Sequence, residues 1–240
     1  MKALITAAAL AALLVPSASA LTVTIRSGQF QVSPGGEFVA VTSPTSFLAN
    51  YDSDATQKVS VGGQQVVGFS TFCLEKDENL STSGTYVGNL NDKALAGGVN
   101  TNSGDPISLG TAWLYSQFAR GTLAGYAYGD PSGVPAYDAA EIAARKSSAS
   151  ALQNAFWILE DEQAAAANPF IALAAAALNT DLAGLKADAN GAYGVKAINL
   201  FTRDGQYRQD ILVLPDGGTT LVMLGGGVLG LALLRRRQIA

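Results

Sequence analysis

The 240-residue chain has no histidine, a single cysteine, and few charged residues, 14% in all. Without histidine there is no Ser-His-Asp or Cys-His pairing, because the base that takes the nucleophile's proton is missing. Histidine-based zinc sites go with it. One cysteine, Cys73, leaves no intramolecular disulfide and no thiolate metal cluster. Acids remain as candidates for carboxylate hydrolysis or calcium. Asp52 and Asp54 alternate in Tyr51-Asp52-Ser53-Asp54, but the rest of an EF-hand loop is absent, so they read as solvated loop acids. Glu75, Glu160 and Asp161 are scattered, and no spacing among them selects a glycosidase-type pair. The expectation is a protein that is not a turnover enzyme and uses no cofactor or metal.

Basic charge is also scarce away from the ends. Of 15 Lys and Arg, Lys2 and Arg235 to Arg237 lie at the termini, so 15 less 4 leaves 11. Of 19 acids only Asp216 lies there, so 19 less 1 leaves 18. The body of the chain is acidic, which argues against nucleic acid as a partner, since phosphate binding needs a basic footprint.

Both termini read as address labels. Lys2, an apolar run from Ala3 to Leu14, and Ala18-Ser19-Ala20 form a signal peptide over residues 1–20, with cleavage after Ala20. At the other end, Leu214-Pro215-Asp216-Gly217-Gly218 is turn-forming, Leu221 to Leu234 is apolar, and Arg235, Arg236 and Arg237 form a basic stop. The arginines predict a cytoplasmic end by the positive-inside rule. The apolar run is short for a span of ~20 residues. A permanent C-terminal anchor is one reading of 214–240. The three-part order also resembles the PEP-CTERM type of sorting signal, nearest to its Pro-Asp-Ser-Gly variant, with Gly217 where that variant has serine. The resemblance implies an exosortase-like membrane peptidase, transient inner-membrane anchoring, and delivery to the surface or extracellular matrix of a Gram-negative bacterium.

Between the ends, residues 21–213 suit one domain. Leu21–Ile25, Phe38–Val41, Lys58–Val61 and a long segment from Gln64 to Leu74 have strand character, with a turn at Gly62-Gly63. The period then changes. Ile107, Leu114, Tyr115 and Phe118 share a helical face, 121–135 reads as an exposed Gly/Pro-rich loop, and 137–167 reads as one helix or two with a break at Ser147-Ser148. Pro169 opens a further helix to about Leu178. Val195–Phe201 and Tyr207–Val213 flank Asp204-Gly205, a hairpin signal. The expected fold is α+β: an antiparallel, barrel-like β part interrupted by a helical insertion at about 105–190.

Two short segments carry chemistry: Phe72-Cys73-Leu74-Glu75, and Leu152-Gln153-Asn154-Ala155-Phe156-Trp157. On a helix Gln153 and Trp157 are i and i+4 and share a face. A thiolate beside a glutamine carboxamide can displace ammonia and leave an internal thioester, which needs a dry site and a shield such as Trp157. The general base has no candidate in the sequence. The same residues equally read as a small buried hydrophobe, a helix-edge polar residue and a core tryptophan.

The paired motifs, in this order, are similar to the signature of bacterial thioester domains, surface adhesin modules in which that cysteine and glutamine are crosslinked. Phe156 stands where an aliphatic residue is commoner, and Thr111-Ala112-Trp113-Leu114-Tyr115 looks like the aromatic helix those proteins place between the motifs. The resemblance implies a Cys73–Gln153 thioester that captures a protein amine or glycan hydroxyl on a surface or matrix partner. The alternative is a non-covalent structural or glycan-binding matrix protein with an inert Cys73.

Overall fold

A computed structural model describes residues 21–97, 104–130 and 137–216. The signal peptide with Ala18 and Ala20, the apolar segment 221–234, Gly217, and Arg235 to Arg237 lie outside the described residues. Among the described residues no helix is long and apolar enough to cross a membrane.

Seven strands form one antiparallel sheet: β1 (Leu21–Arg26), β2 (Phe38–Ser43), β3 (Thr56–Val61), β4 (Gln64–Thr71), β5 (Thr85–Asn91), β8 (Lys196–Phe201) and β9 (Tyr207–Val213). Their order is β3-β4-β2-β1-β5-β8-β9. Two-residue strands β6 (Lys93–Ala94) and β7 (Asp105–Pro106) pair separately. The expected barrel-like part is an open sheet and not a closed barrel. The reason lies in β4, whose outer edge is covered by β3 from Gln64 to Phe69 and is left open only at its end. Thr71 at its end, whose Oγ1 donates to Leu212 O at 2.6 Å, and the three residues beyond it reach β9. Cys73 bridges Ile211, the Leu74 N–H donates to Asp210 O at 3.0 Å, and the Leu212 N–H donates to Phe72 O at 3.2 Å.

The expected strands all form, but the long one stops at Thr71, short of Leu74. The interior strand β5, between β1 and β8, has no counterpart in the sequence reading. Gly88, Asn89 and Asn91 are poor strand formers. Gly88 is needed there: a Cβ would lie 2.7 Å from Val23 Cγ2 and 2.8 Å from Ile198 Cγ2 on the flanking strands.

Among the described residues, four helices lie in the insertion between β5 and β8: α1 (Leu109–Ala119), α2 (Ala139–Leu159), α3 (Pro169–Leu178) and α4 (Leu182–Leu185). Ser108 Oγ caps α1 by accepting from the Thr111 N–H, and a reciprocal Asp138/Glu141 capping box starts α2. The α2 helix runs unbroken through Ser147-Ser148 and ends at Leu159, not near Ala167. Asp161, with φ 59°, turns the chain out of the helix. Asn168 then caps α3, with Pro169 in its first turn.

The expected exposed loop after α1 is partly core. Leu123 and Tyr126 are buried, and the Tyr126 ring lies 5.0 Å from that of Phe118. Residues 131–136 lie outside the described residues. What draws the loop in is a buried ion pair between Glu37, just before β2, and Arg145 of α2, at 2.5 Å. Tyr126 OH donates to Glu37 Oε2 at 2.6 Å, and Arg145 Nη1 donates to Tyr128 O at 2.7 Å. The Arg145 guanidinium sits 3.9 Å over the Phe30 ring. Helix and sheet also meet through Phe72, whose ring is 5.0 Å from Phe118 and 5.3 Å from Phe156. Phe156, unusual for its motif, is a core aromatic here. Burying such a ring stabilises by roughly 1.5–3 kcal/mol.

Candidate functional site

The last turns of α2 present Leu152, Gln153, Phe156, Trp157 and Leu159 to the interior, and all five are buried. Gln153 is 1% exposed. A polar side chain in that setting must find partners, and it finds them on two other segments. Its Oε1 accepts from the Cys73 N–H at 3.0 Å and from the Gly36 N–H at 3.0 Å. Its Nε2 donates to Cys73 O at 2.8 Å. The carboxamide thus pairs with the backbone of Cys73 as a neighbouring strand would. Cys73 and Gln153, 80 residues apart, are in direct contact.

Two backbone N–H groups converging on one carbonyl oxygen is the arrangement of an oxyanion hole, which polarises the carbonyl carbon and stabilises a tetrahedral intermediate. Gly35 makes room for it. Its φ is +71°, and a Cβ there would lie 2.9 Å from both Cγ and Oε1 of Gln153. From the sequence alone, Ser33-Pro34-Gly35-Gly36 reads only as a turn, so neither glycine stands out as a site residue.

The Cys73 thiol is buried and held well above the ordinary thiol range, first by burial and then by the charge of Glu75. It is a thiol and not a standing thiolate. Glu75 lines the same cavity as Cys73. Glu75 is itself pushed up to about 9, by burial first and by Asp210 second. Its carboxylate accepts from Tyr207 OH at 2.5 Å, from Gln209 Nε2 at 3.1 Å and from the Asp210 N–H at 2.8 Å. Asp210 is also raised, chiefly by burial. Two buried carboxyls side by side cannot both ionise cheaply, so the pair holds a proton. The position of Asp210 on β9, next to the Ile211 that faces Cys73, is a tertiary fact with no local signature.

A cavity of about 230 Å³ opens on Cys73, lined also by Pro34, Gly35, Glu75, Glu78 and Trp157. Trp157 therefore forms a wall beside the thiol, with Lys76 Nζ 5.7 Å from its ring centre. Its buried indole N–H has no hydrogen-bond partner among the described residues.

The other acids are placed elsewhere. Glu160 caps the start of α1, accepting from Ser108 N at 3.2 Å and Ser108 Oγ at 2.8 Å, and burial raises it to about 7. Asp161 pairs with Lys186. Asp52 Oδ1 accepts from the Asp54 N–H at 3.0 Å, and among the described residues no group of three or more acidic or thiol side chains could hold a metal ion.

The root of the C-terminal tail is pinned to the domain. The Leu214 N–H donates to Tyr51 OH at 2.8 Å, and Asn50 Nδ2 donates to Pro215 O at 2.6 Å. Residues 215–238 match the VPDSG-CTERM motif. Pro215 and Asp216 thus open a sorting signal of the PEP-CTERM type, which implies an exported protein anchored at its C-terminus and processed at the membrane by an exosortase-like enzyme. No curated protein and no solved structure matches the chain.

Proposed function

We propose that this exported protein carries an internal thioester between Cys73 and Gln153 and uses it once, to bond covalently to a partner at the cell surface or in the extracellular matrix. The single observation that carries the reading is the double hydrogen bond from Cys73 N and Gly36 N to Gln153 Oε1, in a carboxamide that is also held by Cys73 O. Attack of Sγ on the carboxamide carbon, with loss of ammonia, forms the bond. Attack of a protein amine or glycan hydroxyl on the same carbon opens it, leaving an amide or ester and a free Cys73 thiol. The cavity beside Cys73 supports access for that nucleophile, and the Trp157 wall supports shielding from water.

A second reading rests on the same bonds. The three hydrogen bonds hold the carboxamide, so Gln153 also serves as a structural clip between α2, the 33–36 turn and the segment that follows β4. Cys73 is then inert, and the protein is a non-covalent structural or glycan-binding matrix component. Intact mass decides between the two. The thioester reading expects a deficit of about 17 Da, one ammonia, that is absent in Cys73→Ala, and methylamine addition at Gln153. A full mass with an unmodified thiol would sink it.

A further inference from the structure

The thioester reading leaves the proton of the thiol unassigned, since there is no histidine to take it. Resting on that reading, we propose that Glu75, backed by Asp210, is the residue that moves the proton between the Cys73 sulfur and the nitrogen that leaves or enters at Gln153.

Geometry carries this. Glu75 and Cys73 line the same 230 Å³ cavity, and Glu75 is 2% exposed. Its carboxyl is held by Tyr207 OH, Gln209 Nε2 and the Asp210 N–H. Asp210 is fully buried; its Oδ2 accepts from the Leu95 N–H at 2.6 Å, while Oδ1 has no hydrogen-bond partner among the described residues. An oxygen in that state accommodates a proton shared with Glu75. The pair holds one proton, borne on Glu75, and Asp210 is placed to receive it when a second proton arrives. The other ionisable groups around Glu75 are Tyr207 on β9, Lys76 and Glu78 on the segment after Cys73, and Glu162 beyond α2.

The step balances within the site. The shared proton rests on Glu75, and as Sγ bonds to the Gln153 carbon the thiol proton passes to Glu75 while the proton already there shifts to Asp210. The oxygen develops negative charge between Gly36 N and Cys73 N. Glu75 then returns the proton to the nitrogen, the carbon–nitrogen bond breaks, and ammonia leaves. Opening by an amine runs the same path backwards: Glu75 accepts the amine proton and delivers it to the departing sulfur. Raised to about 9, Glu75 carries its proton near neutral pH and is poised to donate it to the leaving nitrogen.

The experiment uses the purified full chain, with Glu75→Gln and Glu75→Asp beside wild type and Cys73→Ala. The readouts are intact mass, urea unfolding, and the pH profile of methylamine addition. Wild type is expected to show the deficit. Glu75→Gln is expected to unfold cooperatively yet lose the deficit, or to add methylamine about 100-fold more slowly without the wild-type inflection. Glu75→Asp is expected to keep the chemistry with a displaced inflection. A purely structural role would not move that inflection. A Glu75→Gln protein with the wild-type deficit, rate and profile overturns the proposal and leaves the thioester standing. If Glu75→Gln does not fold, a Glu75→Asp profile identical to wild type overturns it. No deficit and no Cys73-dependent methylamine addition in wild type overturns both readings.

Discussion

The hold on Gln153 predicts an asymmetry between the two halves of the motif. In Cys73→Ala no thioester can form, yet the carboxamide keeps all three hydrogen bonds, because its partners on that residue are backbone atoms. Adding Gln153→Leu to Cys73→Ala changes little in volume but removes them. The Cys73 N–H, the Gly36 N–H and the Cys73 carbonyl would then be buried without partners. Each such group costs roughly 1–3 kcal/mol. Water entering from the adjoining cavity offsets part of this, so a total of about 3–6 kcal/mol is expected. Against a typical stability of about 5–15 kcal/mol the double variant is severely weakened but still measurable. For a domain of this size the melting temperature would drop by about 10–20 °C. Urea unfolding of Cys73→Ala against Cys73→Ala/Gln153→Leu is the assay. A loss below about 1 kcal/mol would refute the clamp, since even one orphaned group exceeds it.

Three further outcomes follow from other parts of the structure. Gly35→Ala combines a strained positive φ with a Cβ 2.9 Å from Gln153 Oε1, so the mass deficit should disappear while the sheet still forms; an undiminished deficit would refute the tight fit. Arg145→Leu leaves Glu37 charged and buried, and urea unfolding should show a loss of about 3–5 kcal/mol. Glu160 is raised in the folded state from about 4.5 to about 7, so its contribution to stability is present below about 4.5 and is lost as pH rises through 7. In Glu160→Gln the acceptor for Ser108 is kept and the ionisation is removed, so the fall in stability between these pH values should flatten; an unchanged slope would show that Glu160 is not its source.

The asymmetric legibility of the fold has a physical origin. Strands with alternating apolar residues, such as Leu21–Arg26 and Lys196–Phe201, and helices with strong caps, such as Asp138/Glu141, announce themselves locally. The interior strand β5 does not, because its Gly88 is selected by the closeness of Val23 and Ile198 and not by strand propensity. The loop after α1 looked exposed because its glycines and prolines are visible in sequence, whereas the Glu37–Arg145 pair that recruits Tyr126 is not.

The same division runs through the candidate site. By itself the sequence determined what chemistry is absent, the sorting motif at 215–238, and the two motifs containing Cys73 and Gln153, since each is a matter of residue type and short spacing. Tertiary structure alone decided that Gln153 meets the backbone of Cys73 and Gly36, and that Glu75 lies against Asp210. These contacts join residues 80 to 135 positions apart. They come from strand order and helix packing, which bring distant segments together through burial of their apolar faces and leave no local pattern in the chain.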